Sequence, residues 1–236
     1  MKRVLALLGL GTLVLLAGCG GTAVNERALN ESASYDWNTS TAVAVTVNGT
    51  EYRAVYTLQN RSEMKLSLHD ELLGRQPVPI SAVQFRYPND TVVDATAIVV
   101  ERHPDFTVVR FPANEGQFAY TAPASDRSVT VPVTTNRSHE VVLPPHMRIS
   151  LPVFGGATPG GFERSIRNDR VHLTWPSVES EQITVDYYRK RDLVLFGAVL
   201  GALSLVGVLG GVYYRRQIHR LEDERSAYDL GIENGS

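Results

Sequence analysis

Residues 41–58 read Thr-Ala-Val-Ala-Val-Thr-Val-Asn-Gly-Thr-Glu-Tyr-Arg-Ala-Val-Tyr-Thr-Leu, and their pattern decides the fold class. In the first arm Val43, Val45 and Val47 alternate with Ala44 and Thr46. In the second, Tyr52, Ala54, Tyr56 and Leu58 share a face. A period of two is the strand period, because successive side chains leave a pleated backbone on opposite sides. Asn48-Gly49 between the arms tolerates the positive φ of a tight hairpin turn.

The alternation recurs downstream. Met64, Leu66 and Leu68 alternate with polar neighbours, as do Val83, Phe85 and Tyr87; Val171, Leu173 and Trp175; and Ile183, Val185 and Tyr187. Further strand candidates are 91–100, 106–111, 117–121, 128–133, 140–143 and 148–153. No amphipathic helical period appears between residues 38 and 188. This density of short strands predicts a mostly β, sandwich-like domain whose sheets each have one wet face. The turn-rich stretch 121–127 predicts a first β subdomain over 38–122 and a second over 123–188. A single larger sandwich is the alternative.

Apolar blocks flank this domain. Lys2 and Arg3 precede an almost wholly apolar run, 4–16, which ends in Leu16-Ala17-Gly18-Cys19. The run is short for a spanning helix, which needs ~20 residues, and suits a signal peptide. Its closing tetrapeptide resembles the lipobox of prokaryotic lipoproteins, in which the cysteine is lipidated and becomes the first residue after cleavage. The resemblance implies a signal peptide over 1–18, lipidation at Cys19 with membrane lipid as the partner, and a lipid-proximal tether over 19–37.

Residues 193–214 form a 22-residue run without a charge. At ~1.5 Å per residue it covers about 33 Å, enough for a hydrocarbon core of ~30 Å. Arg189-Lys190-Arg191 and Arg215-Arg216 flank it, and Tyr187, Tyr188, Tyr213 and Tyr214 stand at its ends, where aromatic belts belong. The export signal orients it: β domain outside, residues 215–236 a cytoplasmic tail. In that tail, arginines and acids at helical spacing predict an extension of the helix. Gly197, Gly201, Ser204, Gly207 and Gly211 form one stripe along the span, suited to close approach by a second copy or another membrane protein.

Asn30, Asn38, Asn48, Asn60, Asn89 and Asn136 each begin an Asn-X-Ser/Thr sequon, as does Asn234 in the predicted cytoplasm. With 10 Asn, 16 Ser and 17 Thr in 236 residues, chance supplies about 1.4 sequons. The excess points to N-glycosylation at the six outer sites.

No chemistry announces itself. One cysteine excludes an intrachain disulfide and a multi-cysteine metal site. A formal charge of −2 lacks the basic excess of a nucleic-acid binder, and a span without charges offers no ion path. Neither a GxSxG elbow nor an HExxH helix is present. The glycine-rich stretch 155–161 lacks the ending of a phosphate loop and reads as a loop between strands. His69 and His172 alternate with apolar residues and face water. His69-Asp70-Glu71 and His103-Pro104-Asp105 are triplets of a kind that arise by chance, so no metal, cofactor or catalytic residue is assigned.

Several segments together resemble a group of uncharacterised haloarchaeal membrane-anchored lipoproteins: residues 16–19, Ser34-Tyr35-Asp36-Trp37, residues 80–88, Val141-Val142-Leu143-Pro144-Pro145, and 191–193 leading to 213–218. An excess of arginine over lysine, 20 to 3, suits such a source. That group is a domain of unknown function, so it brings no site residues. The expectation is a non-enzymatic binding or scaffolding protein of the cell envelope. A sensor or accessory subunit of a membrane complex, and an envelope hydrolase with an unrecognised site, are the alternatives.

Overall fold

The computed structural model describes residues 25–149 and 155–233. The expected signal peptide over 1–18, the lipidation site Cys19 and the sequon at Asn234 lie outside the described residues. The chain divides into two compact units, one ending at Tyr188 and one beginning at Arg189.

The first unit opens with a one-turn helix, α1 (Glu26–Leu29). Strands follow in the order β1 (Val43–Asn48), β2 (Glu51–Leu58), β3 (Glu63–Asp70), β4 (Gly74–Pro77), β5 (Ser81–Arg86), β6 (Val92–Val93), β7 (Val99–Arg102), β8 (Thr107–Arg110) and β9 (Gly116–Pro123). Then come β10 (Ser128–Pro132), β11 (His139–Val142), β12 (Met147–Arg148), β13 (Gly156–Thr158), β14 (Glu163–Arg167), β15 (Arg170–Trp175), β16 (Gln182–Asp186) and β17 (Tyr188–Arg189). The Asn48-Gly49 hairpin forms as expected, with Val43 opposite Tyr56 and Asn48 opposite Glu51.

One large sheet has the order β14-β15-β11-β1-β2-β9-β5-β6. Its β1 and β11 run parallel, and its other pairs are antiparallel. Two smaller sheets, β4-β3-β8-β7 and β10-β16-β13, supply the second layer. The inward residues of all three meet in one continuous core, which includes Val45, Tyr56, Phe85, Phe118 and Leu173 from the large sheet, Leu66 and Val109 from one small sheet, and Val131 and Ile183 from the other. Each such side chain contributes about 1.5–3 kcal/mol of apolar transfer. Tyr56 stacks on Tyr120 at 5.9 Å, and its hydroxyl donates to the Pro132 carbonyl at 3.1 Å, which ties the large sheet to β10.

The expected cut at 122/123 divides no separate bodies, because strands from both sides of it share sheets. β1 pairs with β11, β2 with β9, and the boundary falls inside β9. Burying β1 and β2 takes the apolar faces of strands from both halves. The glycine-rich stretch is also partly a strand: β13 pairs with β16. Gly155 permits the approach, since a Cβ there would sit 2.8 Å from the Asp186 carbonyl oxygen.

Residues 25–37, expected as part of a tether, are folded onto the unit. Leu29 on α1 is buried in the core, and Tyr35 is buried against the large sheet. The register also defines two ends of that sheet. The end marked by Asn48-Gly49 holds Pro123 and Ser81. Asn25 and Ala28 lie beside Pro123 and Ser81 around one cleft, so the described chain enters at this end. It also leaves there: Ala124 N–H donates to the Thr50 carbonyl at 2.7 Å, and Tyr187 donates its hydroxyl to the neighbouring Ser125 carbonyl at 3.1 Å.

The second unit is a helix, α2 (Lys190–Glu233). Residues Arg191–Ile218 within it are long and apolar enough to cross a membrane, and none of that stretch is buried in protein. Apolar side chains uncovered on all sides, such as Val194, Leu203 and Leu209, suit a lipid environment. The span expected over 193–214 lies inside this stretch, and the helix continues through the tail to Glu233.

Candidate functional site

The outer face of the large sheet carries the candidate site. Residues 31–41 cross that face as a strap without joining a ladder. Its backbone carbonyls still need donors, and long side chains rising from the sheet provide them. Gln84 Nε2 donates to the Ala33 carbonyl at 3.0 Å, Arg53 Nη1 to Ser34 at 3.1 Å and Gln117 Nε2 to Trp37 at 2.9 Å.

Tyr35 pins the strap. Its hydroxyl donates to the Ala82 carbonyl at 2.5 Å and lies 2.9 Å from the Thr121 hydroxyl. Burial pushes the phenol up to about 12, so it stays a donor. Trp37 meets Tyr35 edge to face at 5.8 Å. Beneath them Val55 and Ala119 are buried although they point away from the main core. β2 and β9 therefore depart from strict alternation.

Beside the strap runs a groove of about 630 Å³. Strap residues from Ser34 to Ser40 form one wall; Ala44, Thr46, Val55 and Val142 lie on the floor; Arg167 and His172 stand opposite. Glu140, largely buried, accepts from His172 Nδ1 at 3.0 Å and from Arg167 Nη2 at 3.3 Å. Arg53 also meets Glu51 at 3.4 Å. The Arg53 Nε and the Thr39 hydroxyl are buried and have no hydrogen-bond partner. Asp36 and Glu140 offset Arg53 and Arg167, so the lining presents donors and acceptors at nearly balanced charge. Such a surface suits a polar ligand that offers both.

His172 sits on the outer face as the alternation implies, but it is hydrogen-bonded to Glu140 and shielded from open water. His69 is exposed. Among the described residues no group of three His, Cys, Asp or Glu could hold a metal ion.

Asn38 and Asn48 both line the groove. Asn30 donates its side-chain amide to the Glu26 carbonyl at 2.9 Å. Asn60, Asn89 and Asn136 are exposed in turns. Gly197, Gly201, Ser204, Gly207 and Gly211 lie within about 120° of arc on α2. A Cβ at any of the four glycines would meet nothing within 4 Å.

Arg53, Glu140 and Arg167 went unmarked in the sequence. Alternation places Arg53 and Glu140 on the wet face but cannot tell that they converge. A faint signal was the small outer face of β9, Ala119 and Thr121, where the strap lies.

The fold and site define a β-rich unit followed by a helix long and apolar enough to cross a membrane, with a polar groove on one sheet face. The chain belongs to a family of unknown function, DUF5803, whose model matches residues 39–233. No curated protein matches it significantly. Among solved structures, an M1 zinc metallopeptidase mutant from Deinococcus radiodurans bound to a Tyr-Ser-Ala substrate is similar at TM-score 0.33 and 12% identity, over 61% of this chain and 40% of that one. A second structure of that mutant enzyme gives 0.32 and 13% over the same shares. The chain thus spans about two fifths of their length, a likeness too slight to define a shared fold.

Proposed function

We propose that this chain is an exported, doubly anchored binding protein of a haloarchaeal cell envelope, not an enzyme, and that it takes a polar ligand in the groove beside the strap. The observation that carries the reading is that Asn25 and Tyr187 lie at the same end of the β unit. Cys19 and Asn25 are six residue steps apart, at most about 22 Å of extended chain. A lipid at Cys19 and a span from residue 193 can then enter one membrane face. The strap, which walls the groove, begins twelve residues beyond the lipid site, just after α1. A transmembrane helix alone would retain the protein, so the lipid serves to hold the chain next to the strap close to the bilayer.

The test has two arms in native membranes. Protease added to intact cells should remove the 25–188 region and spare the tail; the reverse pattern overturns the topology. A photo-crosslinking residue at Thr46, on the groove floor, should give an adduct that a second substitution, Arg53→Ala, abolishes. Adducts unaffected by Arg53→Ala, or none at all, remove the groove as the binding surface.

A further inference from the structure

We propose that Asn60, Asn89 and Asn136 carry N-linked glycans that together cap the end of the β unit opposite its chain ends, and that Asn48 stays bare. Sequons alone mark all of these asparagines equally; the topology separates them. Asn60 follows β2 by two residues, Asn89 follows β5 by three and Asn136 precedes β11 by three. Each therefore projects from the sheet end marked by Val43, Leu58 and Arg86, away from Asn48, Pro123 and Tyr187.

The three turns are also held together. Arg61 Nη2 donates to the Thr134 carbonyl at 2.9 Å, and Arg137 Nη1 returns a bond to the Thr57 carbonyl at 3.2 Å, which clips the Asn60 and Asn136 loops. Asn60 and Asp90, the residue after Asn89, line one shared cleft.

Local geometry favours the same three. Asn89 uses its side-chain oxygen to accept from Thr91 N–H at 3.1 Å, so its amide nitrogen faces outward on an exposed turn. Asn60 has φ +52°, a turn conformation that asparagine tolerates. Asn48, by contrast, is half-buried, pairs with Glu51 in the ladder and accepts from Arg170 Nη2 at 3.2 Å. The Asn30 amide nitrogen already donates to Glu26. Asn38 lies on the strap at the groove and is not part of the cap.

The reaction needs a lipid-linked saccharide donor and a membrane transferase. The asparagine Nδ2 forms a bond to C1 of the sugar, the C1–O bond to the lipid phosphate breaks, the lipid phosphate leaves, and the amide gives one proton to a base of the transferase. The cap would keep partners and proteases off this end and leave the groove, on a side face, open.

The test is glycopeptide mass spectrometry on the full chain purified from the membranes of its native cells. The expected result is a saccharide mass on peptides bearing Asn60, Asn89 and Asn136 and an unmodified Asn48 peptide. Unmodified peptides at the three sites, or a saccharide on Asn48, overturn the proposal. Neither result depends on whether the groove binds a ligand.

Discussion

Tyr35 donates its hydroxyl to the Ala82 carbonyl, 47 residues away in sequence, at 2.5 Å. That bond fastens the strap to the outer face of the large sheet. Tyr35→Phe removes it and leaves the Thr121 hydroxyl and Ala82 carbonyl to find other partners. We expect a loss of about 1–3 kcal/mol in stability. Hydrogen exchange should rise over residues 31–40 and change little in β1 and β2. Uniform acceleration across the sheet would show that the strap is part of the core rather than a layer upon it.

Gly116 has φ +141°, and a Cβ there would fall 2.5 Å from the Arg86 carbonyl oxygen and 2.7 Å from the Phe85 ring. Both neighbours belong to β5 and cannot give way without shifting a buried aromatic. Gly116→Ala should therefore cost more than about 2 kcal/mol, read as a lower denaturation midpoint at unchanged slope.

His139 is fully buried in the sheet core; its Nδ1 donates to the Arg137 carbonyl at 2.8 Å, and its Nε2 has no partner. Burial holds its pKa below the usual histidine value, against a smaller opposing pull from the Arg137 carbonyl. The folded protein keeps this ring neutral while the unfolded chain takes up a proton near pH 6.5. Stability should fall as pH drops below about 6.5, by at most about 1.4 kcal/mol per unit, and level off beneath the folded pKa. His139→Gln should flatten this part of the profile. Urea unfolding between pH 7.5 and 5 measures it.

Leu173 on β15 is fully buried in the shared core. Leu173→Ala should cost about 2–5 kcal/mol. Because strands from both sides of residue 122 share this core, one cooperative transition should shift as a whole. Two separate transitions in calorimetry would contradict a single β unit.

The amino-acid order by itself determined the β class, most strands and the apolar helix. These follow from periodicity: buried and uncovered residues alternate along the whole of β1, β15 and β16. Local patterning cannot say which strands become neighbours, since β11 joins β1 across some 90 residues through buried faces any strand could offer. Nor could it show that residues 31–41 fold back over the sheet. Polar segments such as this one look like linkers until Gln84, Arg53 and Gln117 are seen to satisfy their carbonyls. The groove is a product of that fold-back: Arg53, Glu140 and His172 each read as ordinary wet-face residues, and only the pairing of β2, β1, β11 and β15 places them together. The six sequons were equivalent as sequence; the two ends of the sheet, set by tertiary pairing, make them different.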